Sequence, residues 1–247
     1  MHLTKFSKRI GKHVLKKLLK IGIIKSAILK IYQFYDIKPE GTLGINDFEY
    51  LYMTWISYIF MKAINVPGHI VEIGVASGRN SIIFGKFLEI SSEKFIRKYF
   101  GFDTFAGYLD DSLGKNPWLK ADSWKGDIFK KKYVEQRVED CGFSNSCTFI
   151  EGDCRKTIPE FLKNYSDDMV NKNSIKIAIL YIDCNAYEPA FFSMKEFYPY
   201  LSPGGIIVID ETQQGGETNA LFDFAEYMNL EVLHEKGSNP AYIMKPM

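Results

Sequence analysis

The stretch Val71-Glu72-Ile73-Gly74-Val75-Ala76-Ser77-Gly78-Arg79-Asn80-Ser81 decides how the rest of the chain reads. An apolar run from His69 to Ile73 stops at Gly74, and Gly78 follows four residues later. An apolar-periodic segment with Ile82, Ile83, Phe87, Leu88 and Ile90 then begins. Strand, tight glycine turn and helix N-terminus in that order open a nucleotide-type α/β domain. The glycines let the backbone approach a ligand closely, and Asn80 or Ser81 is placed to cap the departing helix. The spacing is E-x-G-x-x-x-G, not the G-x-G-x-x-G of dinucleotide folds, which disfavours a dinucleotide.

Upstream of this turn, Asn46 or Asp47 caps an expected aromatic-rich helix over about 47–65, ended by Val66-Pro67-Gly68. Further back, the spacing of Ile10, Val14, Leu18, Ile21 and Ile28 predicts one helix, or two broken near Gly22, over 5–32. Residues 1–30 carry nine Lys and Arg and no acid, whereas the remainder holds 22 basic and 30 acidic residues, a net charge of −8. A basic extension, residues 1–45, therefore precedes an acidic domain, residues 46–247. The extension suits packing on the body or on a second copy in a homo-oligomer. Peripheral contact of residues 1–30 with an anionic membrane surface is the second reading. Nucleic acid is disfavoured, because aromatic interleaving and a basic body are both missing. Lysines interrupt every apolar run, so neither a membrane span nor a signal peptide is expected, and the expected compartment is the cytoplasm. Cys141, Cys147, Cys154 and Cys184 lack C-x-x-C spacing and read as reduced thiols.

Downstream, the expected second strand is Tyr99–Phe102, ending at Asp103. Residues 104–126, with four glycines or prolines and two tryptophans, form a lid-length connection, with Trp118 and Trp124 as candidate anchors. A helix over 127–141 and a third strand, Thr148–Glu151, lead to Gly152-Asp153-Cys154 and a helix from about Lys156. The fully apolar strand Ile177–Ile182 ends at Asp183, and a helix over Tyr187–Tyr198 comes next. Ser202-Pro203-Gly204-Gly205 reads as a turn into a fifth strand, Ile206–Ile209, ending at Asp210-Glu211. A helix over 216–229 and strands Glu231–His234 and Ala241–Met244 close the chain. This alternation predicts a mostly parallel sheet with helices on both faces.

Glu72, Asp103, Asp183 and Asp210 all stand at strand C-terminal ends, the edge where open α/β sheets bind ligands. Asp103 lies 25 residues past Gly78, close to the spacing of an acid that accepts hydrogen bonds from ribose hydroxyls. Glu72 would repel a phosphate but tolerates a cationic, amino-acid-like ligand. S-adenosylmethionine, with a sulfonium and an ammonium, fits better than NAD. Asp153, or the amide after it, is a candidate for the adenine edge and also an N-cap. Asp183, Asp210 and Glu211 would repel one another unless a hard cation such as Mg²⁺ sat among them.

Several motifs together resemble one family. They are Pro67-Gly68 with Glu72-Ile73-Gly74-Val75 and Gly78; Phe102-Asp103-Thr104-Phe105-Ala106-Gly107; Gly152-Asp153 with Thr157-Ile158-Pro159; Ile182-Asp183 with Tyr187-Glu188; Tyr198-Pro199; Leu201-Ser202-Pro203-Gly204-Gly205; and Ile209-Asp210. From about residue 40 onward the chain resembles a class I S-adenosylmethionine-dependent O-methyltransferase of the macrocin O-methyltransferase (TylF-like) group. The resemblance implies a Rossmann-like fold, seven strands with the last antiparallel, and Mg²⁺-assisted methylation of a sugar hydroxyl. It implies donor contacts at Glu72, Gly74, Ala76, Ser77, Gly78, Asn80, Ser81, Asp103, Thr104, Phe105, Gly152, Asp153, Cys154 and Asp183. The implied metal ligands are Asp183, Asp210 and Glu211. Asp183 is the first candidate base, and His234 the second. Two departures bear on the metal: Asn185 stands where the group usually has an acid, and Glu211 where it usually has Asp. A catechol-type phenol methyltransferase and a non-catalytic S-adenosylmethionine-binding protein are the competing expectations.

Overall fold

In a computed structural model, the structure describes residues 47–109, 120, 123–166, 175–210, 212, 216–235 and 240–247. The basic extension over 1–45, Trp118 and Glu211 lie outside the described residues, as does much of the lid-length connection. Backbone contacts divide the chain into Met1–Met53 and Thr54–Met247. Of the first unit only the opening turns of helix α1 (Asp47–Lys62) are described. The second unit contains the whole of the sheet.

Its strands are β1 (His69–Ile73), β2 (Tyr99–Asp103), β3 (Cys147–Glu151), β4 (Ile177–Ile182), β5 (Leu201–Ile209), β6 (Leu233–His234) and β7 (Ala241–Met244). They form one sheet in the order β3-β2-β1-β4-β5-β7-β6. Every pairing from β3 to β5 is parallel, and β7 runs antiparallel to both of its neighbours. The chain builds outward from β1 to β3, then returns to lay β4 on the other side of β1. A topological switch point therefore lies between β1 and β4, where a crevice opens at the strands' carboxyl ends.

Helices α2 (Arg79–Ile90), α3 (Lys131–Asp140), α4 (Cys154–Ser166), α5 (Tyr187–Phe197) and α6 (Gly216–Met228) supply the crossovers. Strand alternation sorts the core into two layers. Val71, Ile73, Phe100, Phe102, Ile207 and Ile209 pack with Ile158 of α4, Met194 and Phe197 of α5, and Leu221 and Phe224 of α6. On the opposite face Phe84 of α2 meets the rings of Tyr99 and Tyr181. β4 is buried at every residue, as its unbroken apolar sequence requires of a strand covered on both faces. Among the described residues no helix is long and apolar enough to cross a membrane.

Within the described residues the expected strands and helices are present, with shifted ends. β5 starts at Leu201 rather than Ile206, because a register break opposite Ile177 and Ile179 absorbs the expected Ser202–Gly205 turn into the strand. α1 stops at Lys62 rather than 65, where its end is capped from a distance. Arg97, 5% exposed, donates to the carbonyls of Ala63 (3.1 Å), Ile64 (2.6 Å) and Val66 (2.6 Å) and pairs with Glu93 (2.7 Å). Carbonyls at a helix end lack intrahelical donors, and this guanidinium supplies them. Arg97→Met should therefore cost about 2–4 kcal/mol, since it strips charge-assisted donors from buried carbonyls. A urea midpoint equal to that of the native chain would contradict this.

Candidate active site

The loop between β1 and α2 is held from three sides. Gly74 adopts φ +93°, and a Cβ there would stand 2.0 Å from the Asp183 carbonyl oxygen. The Asp183 amide bonds the Ile73 carbonyl (2.8 Å), and the Gly74 amide bonds the Phe102 carbonyl (2.8 Å). Gly78, at φ +82°, is the N-cap of α2 without any side-chain cap, and a Cβ on it would meet Val134 of α3 at 2.8 Å. Asn80 and Ser81, expected as caps, do something else. They lie inside the first turn and face inward, Ser81 toward the Tyr99 hydroxyl (3.1 Å) and Asn80 Nδ2 toward Glu72 Oε1 (2.6 Å).

Glu72 is where expectation and structure differ most. Alternation along β1 turns its side chain beneath α2, fully buried, with its other oxygen accepting from the Tyr99 hydroxyl. Burial pushes its pKa well up, and Asp210 and Asp103 push it further. Glu72 thus stands behind the cavity wall and braces Asn80, which is part of that wall.

Asp103, at the end of β2, ties two loops together. Its Oδ2 accepts from the amides of Val75 (2.7 Å) and Ala76 (2.9 Å), and its Oδ1 from Phe105 (2.7 Å). Burial outweighs these bonds and raises its pKa. Ala76 and Phe105 are left-handed at φ +48° and +51°, a strained state for side-chain-bearing residues that the shared carboxylate helps to hold. Thr104 closes the next turn on the Gly107 carbonyl (2.6 Å), which brings Tyr108 to the cavity wall. Trp124, the expected lid anchor that is described, lines the same wall, hydrogen-bonds the Tyr108 hydroxyl and packs edge-on against Phe129.

Past β3, the Gly152 amide bonds the Asp103 carbonyl (2.9 Å), drawing the third loop in. Asp153 caps α4 through the Arg155 amide (3.0 Å), and the Arg155 guanidinium clasps it at 2.8–3.1 Å. Its carboxylate lines the cavity with that cation already on it. Cys154 lines the wall too, and burial raises its thiol pKa to about 11, so it is a neutral wall element.

The remaining wall comes from the β4 loop. Asp183, Cys184 and Asn185 line it, and Glu217 from α6 holds this loop by accepting the amides of Cys184 (2.8 Å) and Asn185 (2.7 Å). Asp183 is pushed far above the usual carboxylate range by burial, then by Asp210, Glu217 and Glu72, while Arg79 acts against the rise. Asp210 accepts from the Tyr181 hydroxyl (2.6 Å). Among the described residues no group of three or more His, Cys, Asp or Glu is placed to hold a metal. Glu211, the third expected ligand, lies outside the described residues.

These loops enclose about 260 Å³, just below the roughly 300–1,000 Å³ of small-molecule sites. Gly74, Ala76, Ser77, Asn80, Asp103, Thr104, Gly152, Asp153, Cys154 and Asp183 reach its wall. Gly78, Ser81 and Phe105 shape the wall from behind. His234 is not brought to it. It sits exposed on β6, the outermost strand, with β5 and β7 between it and β4. That placement removes the geometric basis for His234 as a base. Sequence reading passed over Arg79, Tyr108 and Glu217. Arg79 and Tyr108 each directly follow a glycine of a motif, a signal that was legible, whereas nothing local marks Glu217.

A family model described as "Methyltransferase domain" matches residues 71–212, more than half of the chain. No curated protein matches the sequence. Among solved structures, CalS11, a calicheamicin methyltransferase, is 21% identical, with 90% of this chain and 93% of that chain covered and a TM-score of 0.67. The O-methyltransferase NovP is 18% identical, with 80% of each chain covered and a TM-score of 0.61. The O-methyltransferase TomG from Streptomyces achromogenes, solved with S-adenosylmethionine, is 9% identical over 90% of this chain and 89% of that one, at a TM-score of 0.52. At such identities the likeness carries the fold, and it bears out the expected class I methyltransferase architecture. The family match bears out the resemblance read from the motifs: the chain belongs to the methyltransferase-domain family and is a class I S-adenosylmethionine-dependent methyltransferase.

Proposed function

We propose that the chain transfers the methyl group of S-adenosylmethionine to a hydroxyl of a sugar, free or within a larger glycoside. The observation that carries this reading is the position of Asp183. It stands on the wall of the same cavity as the β1–α2 loop, at the β4 side of the switch point. The reading is supported by CalS11, described as a TDP-rhamnose 3′-O-methyltransferase. It also rests on the motif resemblance to sugar-modifying O-methyltransferases.

The acceptor oxygen attacks the sulfonium methyl carbon. The new C–O bond forms as the C–S bond breaks, its electron pair passes to sulfur, and S-adenosylhomocysteine leaves. In its ionised form, which Arg79 favours against the effect of burial, the Asp183 carboxylate takes the acceptor proton and makes a poor neutral nucleophile competent. Positioning of the two reactants in one cavity supplies much of the remainder. Asp183 and Asp210 are the residues that would hold a Mg²⁺ ion, since such ions are commonly bound through one or two carboxylates. That ion, with Glu211 as a further ligand, would stabilise the acceptor alkoxide.

Calorimetry with S-adenosylhomocysteine tests the donor half, and heat of binding is expected from the native chain. Asp183→Asn should keep that binding within about threefold while methyl transfer to an accepted sugar falls at least ~100-fold. Absence of heat at millimolar ligand would sink the donor assignment, and full turnover by Asp183→Asn would remove Asp183 as the base. Enhanced binding or turnover on adding Mg²⁺ supports the metal, and indifference to it, with EDTA present, removes it.

A further inference from the structure

Arg79 is the first residue of α2, and among the described residues that line the cavity it is the one basic side chain. The acids on that wall are Asp103, Asp153 and Asp183. Asp103 is engaged by three backbone amides and Asp153 by Arg155, so two of the three are held within the protein. Asp183 and the buried Glu72 both feel Arg79, whose charge favours their ionised forms. The guanidinium therefore lies on the β1–α2 side of the cavity and within electrostatic reach of the β4 side.

A ligand with ammonium and sulfonium cations gains from these acids. A ligand that also carries a carboxylate does not, because desolvation in a cavity whose other ionisable groups are acids and thiols leaves an anion uncompensated. An anion is accommodated there only against a fixed cation, and a guanidinium fork matches a carboxylate with two parallel hydrogen bonds. We propose that Arg79 is the carboxylate-recognition residue of the donor subsite, and that it makes the site selective for adenosyl ligands with an intact amino-acid carboxylate. This role rests on the donor reading of the cavity. The competing role for Arg79 is that of an internal counter-ion to Asp183 and Glu72, without ligand contact.

The two roles separate in a calorimetric comparison of S-adenosylhomocysteine with its decarboxylated analogue, which keeps the adenosine, thioether and amine. The native chain should prefer the carboxylated ligand by roughly 10- to 100-fold, the range of a partly buried charge-assisted pair. In Arg79→Gln that preference should fall to about one, with binding of the decarboxylated analogue unchanged or tighter as the acids lose their competitor. Arg79→Lys keeps the charge without the fork and should retain a preference of only ~3-fold. Equal weakening of both ligands in Arg79→Gln would make Arg79 an internal counter-ion and overturn the proposal. An undiminished preference in either variant would also overturn it. If Arg79→Gln does not fold, Arg79→Lys alone decides by the same criterion. A native chain that binds neither ligand would instead overturn the donor reading itself.

Discussion

Alanine at Gly74 is expected to abolish donor binding and to destabilise the domain by at least about 3 kcal/mol. Two costs add. The backbone there has φ +93°, a region that charges a side-chain-bearing residue roughly 1–3 kcal/mol. The new Cβ would also stand 2.0 Å from the Asp183 carbonyl oxygen and 2.6 Å from its carbon, which are backbone atoms that no side-chain rotation clears. The β1 and β4 ends would have to part, yet the loops that follow both strands line the cavity. A Gly74→Ala variant with a native urea midpoint and native affinity for S-adenosylhomocysteine would show that this close approach is not needed.

Removal of the Asp103 carboxylate is expected to have the second largest effect. Asp103→Ala leaves the amides of Val75, Ala76 and Phe105 without their acceptor and releases two left-handed residues. Each lost charge-assisted bond is worth about 1.5–3 kcal/mol. Affinity for S-adenosylhomocysteine should fall by more than ~100-fold, through the collapsed loops as much as through any lost ribose contact. Asp103→Asn helps separate these contributions. A single amide oxygen can serve the Val75–Ala76 pair or Phe105, and the NH₂ then faces an N–H on the other side. The variant should therefore fold less stably than the native chain and bind with intermediate affinity. If Asp103→Asn matched the native protein in both measurements, the carboxylate would have no bridging role.

The fold was legible because its signals are local and repetitive. The strand Ile177–Ile182 is all apolar, as a strand covered on both faces must be, and its bounds agree with the structure residue for residue. The acids at 72, 103, 183 and 210 mark strand ends in the sequence, and in a parallel sheet strand ends share an edge. Register was less legible. Ser202-Pro203-Gly204-Gly205 has the composition of a turn, yet pairing with β4 pulls it into β5.

The site divides along the same line. Period, spacing and residue type are properties of the chain, and they were enough for the class of fold, the glycine turn at 74–78 and the rank of acids at one sheet edge. Which way each acid points, and what it touches, followed from packing between distant elements. Strand alternation sends Glu72 under α2 instead of into the cavity. Strand order puts His234 at the far edge. Helix packing delivers Glu217 to amides 33 and 32 residues away in sequence. Those outcomes depend on which elements become neighbours, and neighbourhood is settled by burial of the whole core.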